Sequence, residues 1–254
     1  WTQLFSVEAL PHLSGNRPST AAWAPTGTSV SDQVFVIERN PFYFAVDSEG
    51  NQLPYIDEVR FNYFADKEAL NLGAVGGEID MQGRHINMSA YPVLKENEEE
   101  GNYRVVTWPT FGGSDAVFMF NQTYDENEGI GELFRTKDFR IAMSYAIDRE
   151  AIKELSFFGL GEARQGVPAP FHPYYPGDES AFKYTELDPD KANELLDGIG
   201  VVDADGDGFR DLPIGEPFDI EIQVINQFAN WPDIAQLVVE DWADVGVKAH
   251  FEIR

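Results

Sequence analysis

Apolar residues recur at helical spacing most clearly over Leu133–Leu155, LFRTKDFRIAMSYAIDREAIKEL. Phe139, Ala142, Met143 and Ala146 share one helix face, and Ile152 and Leu155 continue the pattern after a break. Thr136 or Asp138 can cap the first helix, and Asp148 the second, because a short oxygen-bearing side chain accepts from the free N–H groups of a first turn. The spacing therefore predicts a pair of core helices. The same logic predicts helices over residues 66–76, capped by Asp66 with Ala69, Leu70 and Leu72 inside, and over 90–99. It also predicts helices over 188–196, with Asp188 as cap, Pro189 in the first position and Ala192, Leu195 and Leu196 packed, and over 232–245. Residues 1–10 carry a shorter apolar patch of helical character.

Alternation with period two marks strands at 33–39, 56–65, 218–225 and 247–253. YRVVTW at 103–108 also reads as a strand, and Ile79–Met81 as a short buried one. AVFMFN at 116–121 is apolar on both faces, the pattern of a central strand. The stretch after the apolar patch of residues 1–10, up to residue 31, and residues 40–55 and 159–184 are rich in Pro, Gly, Ser, Thr or aromatic residues and read as loops, with Trp23 inside the first. Gly112-Gly113 reads as a flexible joint. Strands and helices alternate, so the class is α/β or mixed α+β.

Composition narrows the function. The chain has 254 residues, 43% hydrophobic and 13% aromatic, enough to bury a core. No apolar run reaches the roughly 18–20 residues of a membrane span. The formal net charge is −26, which repels phosphate backbones and disfavours nucleic-acid partners. A strongly solvated surface accounts for the acidity, and attraction of cationic ligands is the alternative. Without cysteine there are no disulfides, thiolate metal sites or cysteine nucleophiles. The chain opens at Trp1 with neither an initiator Met nor an export signal, and it stops inside a strand pattern, as expected of a piece of a longer protein.

No catalytic motif has a supporting context. The four histidines are scattered, and Ser180-Ala-Phe-Lys183 lies in a loop without its usual partner motifs. Asp203, Asp205, Asp207 and Asp211 fall at positions 1, 3, 5 and 9 of a calcium-type loop with glycine at 6, but Ile214 stands where a bidentate Glu belongs. The loop is either a weak, incomplete Ca²⁺ site or an Asp/Gly turn. Aromatic residues in loops are the second candidate feature. Trp108 and Phe111 flank Gly112-Gly113, and Tyr174 and Tyr175 sit in the long loop. They either pack or line a ligand cleft through stacking and apolar contact.

Several of these segments, taken in order, resemble the family 5 extracellular solute-binding proteins, the oligopeptide-, dipeptide- and nickel-binding receptors of ABC importers. The matching pieces are Glu38-Arg-Asn-Pro-Phe-Tyr-Phe44 with Leu53-Pro-Tyr-Ile-Asp57, Gly77-Glu-Ile-Asp80, and Phe120-Asn121. They continue with Phe134–Arg149 and its Arg140, Ala142, Tyr145 to Arg149 pattern, Asp188-Pro189 with Leu195-Leu196, and Asp205-Gly-Asp-Gly208. The resemblance implies an α/β, periplasmic-binding-protein-like fold of two lobes, incomplete here. Residues 1–115 would belong to the first lobe and 116–254 to the second, with crossover strands near 103–121. It implies capture of a peptide or related small solute between lobes, and the loop aromatics and glycine joint offer Trp108, Phe111, Gly112, Gly113, Tyr174 and Tyr175 as the candidate ligand site in this chain. It further implies delivery to ABC permease subunits and a periplasmic or extracellular, possibly lipid-anchored, full-length protein made with a signal peptide. No enzyme activity and no required cofactor are expected. The competing expectation, drawn from the Asp203–Asp211 loop, is a calcium-stabilised structural or adhesion module.

Overall fold

A computed structural model describes residues 19–26, 33–109, 113–226 and 229–254. The helical patch expected over residues 1–10, and Phe111 and Gly112, lie outside the described residues. The chain divides into two compact units, Trp1–Leu72 and Gly73–Arg254. That division concerns compactness within this chain and leaves the lobe boundary near residue 115 an expectation. Among the described residues, no helix is long and apolar enough to cross a membrane.

The first unit is built on a three-stranded antiparallel sheet, β1 (Trp23–Pro25), β2 (Val34–Arg39) and β3 (Glu58–Asn62), in that order. The alternation at 33–39 and 56–65 is realised as β2 and β3, with Phe35 opposite Phe61 and their rings 6.1 Å apart. β1 corrects the loop expected around Trp23. Its three residues pair with the end of β2, and the Trp23 indole N–H donates to the Ile56 carbonyl at 3.1 Å. Asn40 ends β2 and is buried because its amide is fully used. Nδ2 donates to the Ser19 and Ala21 carbonyls, and Oδ1 accepts from Phe42 N–H. Helix α1 (Lys67–Val75) starts at Asp66, whose carboxylate accepts from Ala69 N–H at 2.8 Å. Leu70 is buried as expected, but Leu72 is exposed, on the opposite side of the turn.

The second unit carries the larger core. A short 3₁₀ turn at Met88–Ala90 leads into α2 (Tyr91–Glu96). Three helices follow where a pair was expected: α3 (Glu128–Arg135), α4 (Lys137–Tyr145) and α5 (Arg149–Phe157). Asn127 caps α3 through Ile130 N–H, and Asp148 caps α5 through Ala151 N–H. Thr136 is not a side-chain cap. Its hydroxyl donates back to the Glu132 carbonyl and closes α3. Phe139, Ala142, Met143 and Ala146 form the predicted buried face, whereas Leu155 points to solvent. After a single turn, α6 (Asp178–Ala181), helix α7 (Pro189–Gly198) is capped by Asp188 and packs on α4. Finally β4 (Ile220–Val224), α8 (Trp231–Asp244) and β5 (Ala249–Ile253) make a βαβ unit whose two strands are parallel. Fully burying one large apolar side chain here contributes about 1.5–3 kcal/mol, and Trp242, Phe139, Met143, Leu196 and Ile234 are all fully buried.

Three predicted strands do not form. Ile79–Met81 is irregular and Met81 is exposed. Residues 103–108 and 116–121 form no regular element and join no ladder among the described residues. For 116–121 the expectation of a central strand is corrected on one face. Phe118 and Phe120 pack down on Trp242, with ring centroids 6.0 and 5.8 Å away. Val117 and Met119 point outward and remain 50% and 87% exposed. The segment is therefore covered on one side only.

Candidate functional site

Residues 73–254 enclose an open cavity of about 2080 Å³. Met143, Ile152 and Trp242, the upper surface of the helical core, reach its floor. Its walls are the irregular segments Tyr103–Pro109 and Gly113–Phe120 and the loop Leu160–Gly166. The volume exceeds the roughly 300–1,000 Å³ of an ordinary small-molecule pocket, and the cavity is open to solvent.

Each wall is held from below by polar contacts that the sequence pattern does not reveal. Tyr103 is fixed by its hydroxyl, which donates to the Leu94 carbonyl at 2.7 Å, and its burial raises the phenol pKa. Glu98 bridges the same turn. Lys95 Nζ donates to it at 2.8 Å and Val105 N–H donates as well, and these bonds lower the Glu98 pKa. Gly113 is buried with φ +76°, and a Cβ there would overlap the Val167 carbonyl oxygen. This glycine is needed for a close backbone approach between two walls, a more specific demand than the free joint read from the sequence. On the floor, Arg149 donates to the Ser144 carbonyl at 2.7 Å, to Ser144 Oγ at 2.8 Å and to the Thr185 carbonyl at 3.2 Å. Burial lowers its pKa, against the pull of Asp241 and Glu186. Gln165 Nε2 spans Ser144 Oγ and the Lys183 carbonyl, which ties the loop to α4.

The expected ligand-site residues divide. Trp108 and Gly113 line the cavity, and the Trp108 side chain is 74% exposed toward solvent. Tyr174 and Tyr175 are not among its lining residues. Tyr174 is exposed beside His172, and the Tyr175 hydroxyl donates to Asp178 at 2.6 Å, a bond that raises its pKa.

The acidic loop lies apart from the cavity. Carboxylate oxygens of Asp203, Asp205 and Asp211 come within 4.8 Å of one another. Asp207 is not in that group, and Ile214 is exposed at the position where a twelfth-residue ligand would stand. The loop is closed by its own backbone. Asp203 accepts from Gly206 and Gly208 N–H, Asp205 from Asp207 N–H, Asp207 from Phe209 N–H and the buried Asp211 from Ala204 N–H. Next to it Arg210 donates to the Val245 carbonyl at 2.8 Å, to Asp197 at 2.6 Å and to Asn193 at 2.9 Å, which clasps α7 to the end of α8. The three converging carboxylates could ligate one hard cation, but the same oxygens already accept enough N–H groups to hold the turn.

Residues 23–254 match the family model of bacterial extracellular solute-binding proteins, family 5 Middle. The chain is 30% identical over 227 residues to the periplasmic alpha-galactoside-binding protein of Rhizobium meliloti (strain 1021), covering 83% of this chain and 31% of that protein. It is similar to the solved structure of an oligopeptide-binding protein, OppA, with TM-score 0.70 and 38% identity over 100% of this chain and 40% of that one. It is also similar to the structure of the oligopeptide-binding protein AppA of Bacillus subtilis in complex with a nonapeptide, with TM-score 0.65 and 26% identity over 92% of this chain and 42% of that one. The chain thus spans about a third to two fifths of the length of these relatives. Its α/β architecture is part of the two-lobed periplasmic-binding-protein fold, and the chain belongs to the family 5 bacterial extracellular solute-binding proteins.

Proposed function

We propose that the full-length protein is the substrate-binding component of an ABC importer. It captures a peptide, or a related oligomeric solute such as an oligosaccharide, and hands it to a membrane permease without chemical change. The observation that carries this is the 2080 Å³ cavity with Trp108 on its wall, in a chain of this family. The named relatives bear on the ligand, one by its alpha-galactoside and two by their oligopeptides. In this scheme residues up to about 115 and residues 116–254 belong to different lobes, and 103–121 runs near the crossover. The ligand touches both lobes only when they are shut, so it shifts the population toward the closed form by its differential affinity. A micromolar ligand supplies about 8 kcal/mol, part of which offsets closure. The protein works outside the cytoplasmic membrane, a reading supported by the periplasmic designation of the Rhizobium meliloti relative. Calorimetry of the full-length protein against peptide and alpha-galactoside panels, with small-angle scattering, tests this. Saturable binding with a smaller radius of gyration is expected. Failure of every solute to bind or to close the protein would reject it.

No cation is required in this scheme, because backbone N–H groups already hold the Asp203–Asp211 turn. Treating the full-length protein with a chelator is expected to leave its thermal midpoint within about 1 °C, since only a ligand bound at the folded state stabilises it. A drop of several degrees, restored by Ca²⁺, would instead assign the loop as a structural calcium site.

A further inference from the structure

The cavity wall does not follow the charge of the chain. The whole sequence has 18 Lys and Arg against 44 Asp and Glu. The residues lining the cavity include seven Lys and Arg against three Asp and Glu, namely Asp80, Asp115 and Glu162. Three of the seven cations serve the floor. Arg140 donates to the Phe134 carbonyl at 2.7 Å, Arg149 holds Ser144 and Thr185, and Lys153 pairs with Glu150. The other four, Arg104, Lys137, Arg164 and Lys183, make no ion pair among the described residues. They come from four separate stretches of sequence, and all four line the one cavity.

This inverts what bulk charge implies about the ligand. The acidic surface outside repels anions only over a Debye length of about 8 Å at physiological salt. Within a concave wall of opposite sign the local field dominates, because low-dielectric sides focus it. Arginine matches a carboxylate bidentately, and that fork carries more specificity than a lysine point charge. Arg104 and Arg164 sit on different wall segments, Tyr103–Pro109 and Leu160–Gly166. Trp108 and Tyr103 beside Arg104 offer stacking surface to whatever bears the carboxylates.

We propose that this cavity takes a carboxylate-rich, acidic peptide, with Arg104 and Arg164 as the side chains that select it. The proposal rests on the receptor function argued above and narrows its ligand class. The test uses the full-length protein and three pentapeptides, Ala-Glu-Ala-Glu-Ala and its Gln and Lys counterparts, with glutarate and stachyose as non-peptide probes. Calorimetry at low salt is expected to find the Glu peptide bound at least about tenfold more tightly than the Gln peptide, a preference shrinking at about 0.5 M salt. The double variant Arg104→Gln/Arg164→Gln is expected to bring the Glu-to-Gln ratio to about one. Affinity for the Gln peptide should fall far less than affinity for the Glu peptide, and the thermal midpoint should shift by no more than about 1 °C, since neither side chain makes an ion pair among the described residues. Equal binding of all three peptides, preference for the Lys peptide, or a Glu preference that survives in the variant would overturn the inference and leave the receptor function standing. Glutarate or stachyose binding more tightly than any peptide would overturn it in the same way. Absence of binding by every probe counts against the receptor function as well.

Discussion

Replacing Trp242 by alanine is expected to destabilise the Gly73–Arg254 unit by about 3–5 kcal/mol, the usual cost of deleting a buried tryptophan. Trp242 is 2% exposed and is among the largest fully buried side chains. It receives Phe118 and Phe120 on its ring and donates Nε1–H to the Met143 carbonyl at 3.1 Å. Two costs therefore combine: a void in a close-packed core, and an acceptor left without its donor. Trp242→Phe separates them, because it keeps most of the ring volume and leaves the Met143 carbonyl unpaired, for about 1–3 kcal/mol. Trp242 also reaches the cavity floor, so the alanine variant should weaken solute binding even where it remains folded. Denaturant unfolding of the full-length protein, followed by near-ultraviolet circular dichroism, reads the effect as a shift of the transition that belongs to this unit. A loss below about 1 kcal/mol for Trp242→Ala would mean that this tryptophan does not organise the core.

The parts of this molecule that can be read from sequence are those whose cause is local. Asp66, Asp148 and Asp188 were recognisable as caps because a cap needs only one oxygen and the N–H groups three residues on. The α4 face, and the separate elements β4, α8 and β5, followed from periodicity alone, whereas the parallel pairing of β4 with β5 did not. Strands failed where the cause is a partner. Tyr103–Trp108 has the β-branched and aromatic composition of a strand, yet composition cannot supply a neighbouring ladder. β1 failed in the opposite sense, since three residues containing a proline carry no pattern and are strand only because β2 is beside them. The same distinction governs the site. Trp108 and Gly113 could be nominated from composition, and both line the cavity, whereas Tyr174 and Tyr175 looked equivalent and lie outside it. The basic wall had no signature, because Arg104, Lys137, Arg164 and Lys183 come to line one cavity only through the fold.

Gly113→Ala is expected to lower solute affinity of the full-length protein by about tenfold or more while leaving the helical core folded. Two penalties meet at this residue. Its φ of +76° costs an alanine roughly 1–2 kcal/mol, and the new methyl would overlap the Val167 carbonyl oxygen and crowd the Pro168 nitrogen. A carbonyl cannot swing away as a flexible side chain would, so the backbone of one segment must move. The segments concerned are Gly113–Phe120, a wall of the cavity, and the stretch directly after the wall loop Leu160–Gly166. A displacement of about 1 Å between them misplaces the contacts on both sides at once, a degree of looseness that binding sites tolerate poorly. Gly161→Ala is the control. Gly161 lines the same cavity with φ +86°, but nothing lies within 4 Å of its would-be Cβ, so it bears the conformational cost without the collision. Calorimetry should therefore find Gly161→Ala within about threefold of the unaltered protein and Gly113→Ala far weaker. Equal losses in the two variants would mean that left-handed backbone alone matters there, and that the approach of Gly113 to Val167 has no part in shaping the cavity.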